Sequence, residues 1–263
     1  MKIVVTVKQV PDTNAEKTFD PATKRLNRSS IENVLNPFDE YAIEEALRIK
    51  EAIGGDTTVT ILTMAPASGA DVVRKALGMG ADNAVLVSDD ALGGSDTMAT
   101  SYVLALALKA TGFDLVLSGT QSTDAICGVV PAAIAERLGV PCITYVKKMT
   151  VADGKLDAQR ETESGYLRVS APLPALVSVT KAINEPRYPT LKGIMGAKKK
   201  EIKTPSLADL GVDTSKVGET GSKTAVEVIK PVGARQKGET IAVSDPKESA
   251  KQILEFLIAK KVV

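Results

Sequence analysis

The stretch NPFDEYAIEEALRIKEAIGGDTTVTILTM, residues 36–64, joins an amphipathic helix to a β-strand and decides the fold class. Asn36 is a favoured N-cap residue, and Pro37 suits the first helical position. Asp39 and Glu40 complement the positive end of the helix, and the Gly-Gly pair after the helical pattern ends it. The TVTILTM run is almost continuously apolar or β-branched, which is typical of a strand covered on both faces.

The same alternation recurs along about the first 145 residues. Further strand patterns are KIVVTV (2–7), AVLVS (84–88), DLVLSG (114–119) and CITYV (142–146). Helical patterns lie between them, at about 67–78, 96–110 and 129–138. The alternation predicts an α/β fold with a largely parallel twisted sheet and helices on both faces. Ligands of such sheets bind at the carboxyl ends of the strands.

The pattern changes after residue 146. VKKMTVADGKLDAQRETESGYLRVSAPLPALVSVT, residues 146–180, predicts short antiparallel strands that form a β-meander at the sheet edge, with a turn at Asp153-Gly154. Residues 203–243 predict an extended arm, and about 245–259 predict a helix that docks on another subunit. We therefore predict an α/β domain at 1–202 and a C-terminal arm with a helix at 203–263.

Composition excludes several classes of protein. The 263 residues carry 33 basic and 32 acidic side chains, so no global field favours nucleic acid. Aromatic residues make up only 3% of the chain, which argues against base-stacking platforms. No apolar run approaches the ~20 residues of a membrane span, and Asp12 interrupts any signal-peptide pattern. We expect no membrane insertion and a cytoplasmic location.

Histidine is absent, which removes Ser-His-Asp and Cys-His catalysis and most transition-metal sites. Cys127 and Cys142 form no CxxC pair, and we expect both to be reduced, small, buried side chains. Glu161 and Glu163 resemble a carboxylate pair for acid/base chemistry, but their strand-like setting favours solvated charges or inter-subunit contacts. No catalytic residues are predicted.

Two loops have the composition of phosphate-binding turns. The loop that follows the 114–119 strand is rich in glycine and hydroxyl groups and leads into a helix near Val129. Its backbone amides would hold a phosphate at a helix N-terminus, or it is an ordinary polar turn; both interpretations stay open. GGSDTMAT, residues 93–100, resembles the pyrophosphate loop of adenylating enzymes, but helix capping by Ser95 and Asp96 is favoured.

A third loop mixes apolar and basic residues. NEPRYPTLKGIMGAKKKEI, residues 184–202, follows neither helix nor strand periodicity. Charge runs are usually solvated, so composition alone favours a crossover packed on the chain's own sheet.

Several motifs taken together resemble the β-subunit of electron transfer flavoprotein. They occur in order over about the first 200 residues, with a weaker match in the tail. The motifs are VKQVPD (7–12), NPFDEYAIEEALRIKE (36–51), MGAD (79–82), GSDTMAT (94–100), GTQSTD (119–124), the 146–180 stretch, NEPRYPTLKGIMGAKKKE (184–201) and LADLGV (207–212).

This resemblance implies a heterodimer with a larger α-subunit that holds FAD and moves electrons one at a time. The donors would be flavin dehydrogenases, and the acceptor a quinone-linked or other protein. The β-subunit of this family has an adenine-nucleotide-binding, Rossmann-like fold and usually holds a structural AMP. In the electron-bifurcating branch a second FAD takes that place. The alternatives are a free-standing adenylating or nucleotide-hydrolysing enzyme and a stress-type module that senses ATP by dimerising.

Carried over by motif, the nucleotide site comprises strand ends, the helix start at 36–39 and the 119–130 loop. Its predicted residues are Thr6, Asn36, Pro37, Phe38, Asp39, Met64, Leu115, Gly119, Thr120, Gln121, Ser122, Thr123, Asp124, Ala125, Ile126, Cys127, Gly128, Val129 and Val130. Residues 125–130 are less acidic and amide-rich than in many members, so AMP is favoured over FAD.

The resemblance also identifies 184–200 as a recognition loop for the partner dehydrogenase. Leu191 would be its anchor, with Tyr188, Pro189, Ile194 and Met195 around it. Lys198 to Lys200 would steer an acidic partner by charge. Glu161 matches a position that contacts the flavin domain of the α-subunit.

Overall fold

The computed structural model describes residues 1–230, 233, 238, 240 and 245–262. Its main sheet has nine strands in the order β11-β5-β4-β1-β6-β10-β7-β8-β9, and β2 and β3 form a separate antiparallel pair. The strands are β1 (Lys2–Thr6), β2 (Gln9–Pro11), β3 (Asn33–Leu35), β4 (Thr58–Met64), β5 (Asn83–Val87), β6 (Leu115–Gly119), β7 (Cys142–Ala152), β8 (Lys155–Thr162), β9 (Gly165–Pro172), β10 (Ala175–Val179) and β11 (Ile202–Lys203). All pairs from β11 to β7 are parallel, and β8 and β9 complete the edge antiparallel. The predicted α/β class is confirmed.

Helices cover both faces of the sheet. They are α1 (Pro37–Ile53), α2 (Ala70–Met79), α3 (Thr97–Thr111), α4 (Val130–Leu138), α5 (Leu191–Ala197), α6 (Gly218–Gly221) and α7 (Pro246–Ala259). On β1, Ile3 and Val5 join the core layer that contains α1 and α2, whereas Val4 joins the layer with α3 and α4. Since successive strand residues face opposite sides, two covered faces account for the continuous apolar runs.

The β-meander lies where the sequence predicts it. Asp153 and Gly154 connect β7 to β8 with φ values of 51° and 71°. Two consecutive positive φ angles are the signature of a type I′ turn, whose twist matches that of the strands it joins. The turn therefore fixes the β7–β8 register, and β9 follows antiparallel to β8.

The prediction of an aperiodic loop over 184–202 is wrong in part. Residues 191–197 form helix α5, and Thr190 accepts a hydrogen bond from the Gly193 amide at 3.0 Å as its N-cap. Ile202 and Lys203 then pair in parallel with β5 and extend the sheet by one short strand. Elements of seven and two residues are too short to show a period in the sequence.

The first part of the predicted arm does not extend away from the domain but packs on its core. Leu207, Leu210, Val212 and Val217 are buried in the core layer that contains α3. Residues from Val228 onward form a separate compact unit, whose helix α7 matches the predicted 245–259 helix. The prediction of an extended arm also covers 231–232, 234–237, 239 and 241–243, which lie outside the described residues.

The expectation that both cysteines are buried is wrong. Cys127 is exposed in the loop after β6, and Cys142 is exposed at the first residue of β7. Cysteine is a residue type that is usually buried. Here one cysteine lies in an exposed loop and the other at the exposed end of a strand, so position outweighs residue type.

Candidate functional site

Three hydroxyl groups lie in one row at the carboxyl edge of the sheet. The register pairs Thr6 of β1 with Ser118 of β6, and Ser118 with Ser178 of β10. Residues paired across parallel strands face the same side, here the side of α3 and α4. Sequence reasoning identified only Thr6, because serines at the ends of apolar strands carry no distinctive signal.

Some polar atoms at this edge have no hydrogen-bond partner. Within the described residues, the hydroxyls of Thr63, Ser118 and Thr123 are buried and unpaired. Thr63 lies next to Met64 at the end of β4, and Thr123 lies in the 119–130 loop. Since buried polar groups are normally satisfied, the edge has capacity for a polar ligand.

Asn36 fixes the 119–130 loop. Its amide nitrogen donates to the Gln121 carbonyl at 2.9 Å, and its amide oxygen accepts from the Thr123 backbone at 3.3 Å. Asn36 occupies the N-cap position of α1, but its side chain makes no capping hydrogen bond. The expected capping interaction is therefore absent, and the side chain holds the loop in its place.

Asp39 lies beneath the same loop. Its carboxylate accepts from the Lys8 amide at 2.8 Å, and Gly119 also donates its backbone N–H to it. Burial raises the pKa of Asp39 to about 7, against the opposing effect of these hydrogen bonds. The expectation that Asp39 only complements the charge of the helix end is therefore incomplete, because this buried carboxyl links α1 to the turn after β1 and to the end of β6.

Asp124 anchors the loop to two cations. Its oxygens lie 2.8 Å from Lys8 Nζ and 2.5 Å from Arg28 Nη2, and its side chain is only 1% exposed. Burial alone would raise the pKa of Asp124, but the charge and hydrogen bond of Lys8 outweigh it and bring the pKa to about 2. The cluster carries one net positive charge beside the loop, which suits an anionic ligand. Sequence reasoning missed Arg28, because its segment shows no periodicity.

The structure brings most of the predicted nucleotide-site residues together. Asn36 and Asp39 contact the loop directly, and Thr6 and Met64 end neighbouring strands. The loop residues Ile126 and Gly128 have positive φ, and α4 begins at Val130. Members of the loop whose side chains project into solvent are Ala125, Ile126, Cys127 and Val129.

Leu115 does not lie with this group. It is the first residue of β6, fully buried, and it pairs with Ile3 near the amino end of β1. Four residues of strand, roughly 13 Å, separate it from Gly119 at the carboxyl edge. The motif placed it in the right strand but at the wrong end for direct contact.

An open cavity lies beside the 119–130 loop. Its volume is about 370 Å³, and its lining includes Phe38, Thr120, Gln121, Tyr145 and Glu161. Glu161 is an exposed residue of β8, so its carboxylate is available to a partner. Glu161, the predicted inter-subunit residue, and the predicted nucleotide loop at 119–130 therefore line the same cavity.

Four of the five predicted docking residues are exposed on one segment, whereas Pro189 is partly buried. Tyr188 is 92% exposed and Leu191 76%, and Ile194 and Met195 are also exposed. Exposure of several large apolar side chains side by side marks an interaction surface. Of the three predicted steering lysines, Lys200 instead donates to the Ala81 carbonyl, while Lys198 and Lys199 remain exposed.

The GGSDT loop makes structural contacts. Asp96 Oδ1 accepts from the Ala99 amide at 2.9 Å and caps α3, and Ser95 Oγ accepts from the Gly218 amide at 2.8 Å. Asp96 Oδ2 also accepts from the backbones of Lys223 and Thr224. Capping by Asp96 agrees with the sequence, whereas Ser95 anchors the chain near residue 218 and does not cap.

The described residues contain neither a membrane-spanning helix nor a cluster of metal ligands. Helices in this part of the chain are too short or too polar to cross a membrane. The same residues contain no cluster of three or more acidic, cysteine or histidine side chains that would hold a metal ion.

Comparisons with known proteins agree along the chain. The model of the Electron transfer flavoprotein domain matches residues 23–210. The Electron transfer flavoprotein subunit beta of Mycobacterium tuberculosis is 43% identical over 265 residues, 99% of each chain. That of Megasphaera elsdenii is 42% identical over 272 residues, 100% of each chain. The Caffeyl-CoA reductase-Etf complex subunit CarD of Acetobacterium woodii is 38% identical over 264 residues, again 100% of each.

Proposed function

The chain belongs to the electron transfer flavoprotein β-subunit family, and from this we propose that it pairs with an α-subunit, binds AMP and docks flavin dehydrogenases. The names of its relatives describe electron transfer. The single observation that supports nucleotide binding is the carboxyl edge, where unpaired buried hydroxyls lie beside the 119–130 loop and the cluster of Lys8, Arg28 and Asp124 carries one net positive charge.

The residues present fit an adenine nucleotide. The loop after β6 presents backbone amides at the start of α4, and Lys8 and Arg28 supply positive charge beside it. Thr6 and Ser118 offer hydroxyls from the strand ends to a polar group of the ligand. Asn36 and Asp39 hold the loop and α1 in place, so the site is formed before the nucleotide arrives.

AMP is proposed over a second FAD because of the loop's composition. Residues Ala125 to Val130 offer no side-chain amide or carboxylate to the extra groups of a dinucleotide. Ile126 and Val129 are instead apolar and exposed. A bifurcating β-subunit with two FAD molecules is the alternative that this composition disfavours.

FAD, when bound mainly by the α-subunit, supplies the electron-carrying chemistry. This chain's contribution is to hold and to dock. Glu161 and the exposed face of β8 would contact the flavin domain of the partner, and the Tyr188–Met195 segment would contact the dehydrogenase. The Acetobacterium relative is named as part of a caffeyl-CoA reductase complex, so a flavin dehydrogenase or reductase that acts on CoA esters is the proposed class of redox partner.

Co-expression with the α-subunit from the same organism tests the proposal. We expect a yellow 1:1 heterodimer that releases one FAD and one AMP on acid treatment, measured by chromatography and absorbance. Two FAD per heterodimer would contradict the AMP assignment. A colourless homodimer that hydrolyses ATP would contradict the carrier function altogether.

Leu191→Ala tests the docking segment. Leu191 is exposed, so its truncation costs little folding energy, whereas full burial against a partner is worth about 1.5–3 kcal/mol. We expect the KM of an acyl-CoA dehydrogenase for the heterodimer to rise about 10-fold or more, with kcat and flavin content close to wild type.

Lys192→Ala, a change in the neighbouring exposed side chain, is the matched control and should leave KM within about 2-fold of wild type. Loss of flavin or a lower melting temperature in Leu191→Ala would indicate a folding role and sink the docking assignment.

A further inference from the structure

The exposed apolar residues of the docking segment lie on a backbone that is held at both ends. The docking segment is defined here as residues 188–197, which include α5. Polar contacts to α1 precede it in the chain, and contacts to α2 follow it. Such an arrangement differs from a mobile loop that becomes ordered only on binding.

Arg187 makes the contacts on the amino-terminal side. Its Nε lies 2.7 Å from Glu44 Oε2, and its Nη1 lies 2.5 Å from Glu51 Oε1. Nη2 bridges both carboxylates at 3.1 and 3.0 Å, and the Arg187 amide donates to Glu44 at 3.2 Å. These three residues are called the Arg187 cluster below. Only a guanidinium can engage two carboxylates in this forked way.

The burial of Glu44 makes the Arg187 cluster specific. The Glu44 side chain is 4% exposed and that of Glu51 is 58% exposed. Burial alone would raise the pKa of Glu44, but hydrogen bonds from Arg187 and Arg48 outweigh it and hold the pKa below its usual value. A buried carboxylate that stays charged needs its cation in place, because an unpaired buried charge is costly.

Asn184 adds a second tie to the same helix. Its amide nitrogen lies 3.0 Å from the Tyr41 carbonyl and 3.0 Å from Glu45 Oε2. The chain entering the docking segment is therefore bonded to α1 at two positions three residues apart.

Contacts on the carboxyl-terminal side involve α2. Arg74 donates to the carbonyls of Ala197 and Lys200, the former at 2.6 Å. A Cβ added to Gly193 would lie 2.3 Å from the Gly78 carbonyl oxygen, so the two helix backbones touch. Glycine at 193 permits this approach.

We propose that Arg187 is a positioning residue for redox-partner docking, which presets α5 so that Tyr188, Leu191 and Met195 project together before the partner arrives. The inference rests on the docking role proposed above. A preset segment loses little conformational entropy on binding, and that lowers the cost of a small, transient interface. Without the Arg187 cluster, the two hydrogen bonds of Asn184 would be the remaining polar ties, among the described residues, between α1 and the chain that enters the segment.

The experiment compares heterodimers that carry Arg187→Gln, Arg187→Lys or Arg48→Gln. Arg48 also contacts Glu44, at 2.9 Å, but among the described residues it makes no hydrogen bond or ion pair to the docking segment, so it is the matched control. The readouts are KM and kcat with an acyl-CoA dehydrogenase, and hydrogen–deuterium exchange of residues 188–197.

For Arg187→Gln we expect KM to rise about 10-fold, kcat to change less than 2-fold and exchange to accelerate within the docking segment. Lysine reaches one carboxylate but not both, so Arg187→Lys should fall between wild type and Arg187→Gln. Arg48→Gln should match wild type. If Arg187→Gln fails to fold, Glu51→Gln provides the test, because Glu51 is the exposed partner of Arg187. For this variant we expect KM to rise about 2- to 3-fold.

Faster exchange with an unchanged KM would overturn the inference, because the preset conformation would then be irrelevant to docking. An equal rise in KM for Arg48→Gln would overturn it as well, since the effect would come from Glu44 or α1. The proposed function is contradicted by a different result. An unchanged KM for Leu191→Ala would show that the docking segment does not bind the dehydrogenase, whatever the Arg187 variants show.

Discussion

Replacing Gly119 with alanine is expected to displace the start of α1 and to release the proposed AMP. A Cβ at this position would lie 2.5 Å from Asp39 Oδ1 and 2.7 Å from the Phe38 carbonyl carbon. Both atoms are closer than real contacts allow, and one belongs to the backbone, so α1 must move relative to β6. Overpacking of this kind costs about 1–3 kcal/mol.

The nucleotide should be lost as well, because the displaced atoms support the site. Asp39 accepts hydrogen bonds from Lys8 and Gly119, and the neighbouring Asn36 holds the loop. The measurements are the midpoint of thermal unfolding and the AMP released per heterodimer. We expect a lower midpoint and an AMP content less than half that of wild type.

Gly196→Ala is the matched control for Gly119→Ala. Nothing lies within 4 Å of a Cβ added to Gly196, which is in helix α5. Alanine is favoured over glycine inside a helix, so this variant should be as stable as wild type or slightly more stable. Full AMP content and an unchanged midpoint in Gly119→Ala would show that the close approach to α1 is not required.

The sequence predicts the sheet well because its signals are local and repeated. The longer parallel strands are β-branched runs, and helices α1 and α2 have a visible amphipathic period. The two-residue strand β11 and the seven-residue helix α5 carry no such signal, and only their packing on β5 and α2 defines them.

Residues of the candidate site are predictable where a motif carries them and not where distant segments meet. The 119–130 loop and Asn36 were identified from their motifs. The contact of Arg28 with Asp124 spans 96 positions, and that of Arg187 with Glu44 spans 143. Nothing local distinguishes such an arginine from a solvated one, because pairing depends on which loops the fold brings together.

The type of a residue predicts where it stands along a helix better than it predicts the group to which its side chain bonds. Asn36 stands at a helix start, as its type predicts, yet its side chain bonds to the 119–130 loop. Asp96 stands at a helix start and does cap it, but its second oxygen holds residues 223–224. In both cases a tertiary partner competes with the local one for a short polar side chain.

Asp96→Ala is expected to be the most destabilising of the single polar changes considered. It removes the cap of α3 and three hydrogen bonds to Lys223 and Thr224, at 2.8, 3.0 and 3.1 Å. A lost cap costs about 1 kcal/mol and each further bond to a charged group about as much, so we expect a total of about 2–4 kcal/mol. Unfolding in urea measures the loss, and limited proteolysis should show new cleavage near 217–224.

Asp96→Asn separates the two roles of this carboxylate. Its oxygen can still cap α3, but its amide group would face the donors of Lys223 and Thr224, so we expect about half the loss and the same new cleavage. Asp89→Ala is the control, because Asp89 caps only the short turn that precedes α3. If GGSDT were instead a phosphate loop of an adenylating enzyme, Asp96→Ala would abolish ATP turnover and leave stability near that of Asp89→Ala. The four hydrogen bonds of Asp96 favour the structural result.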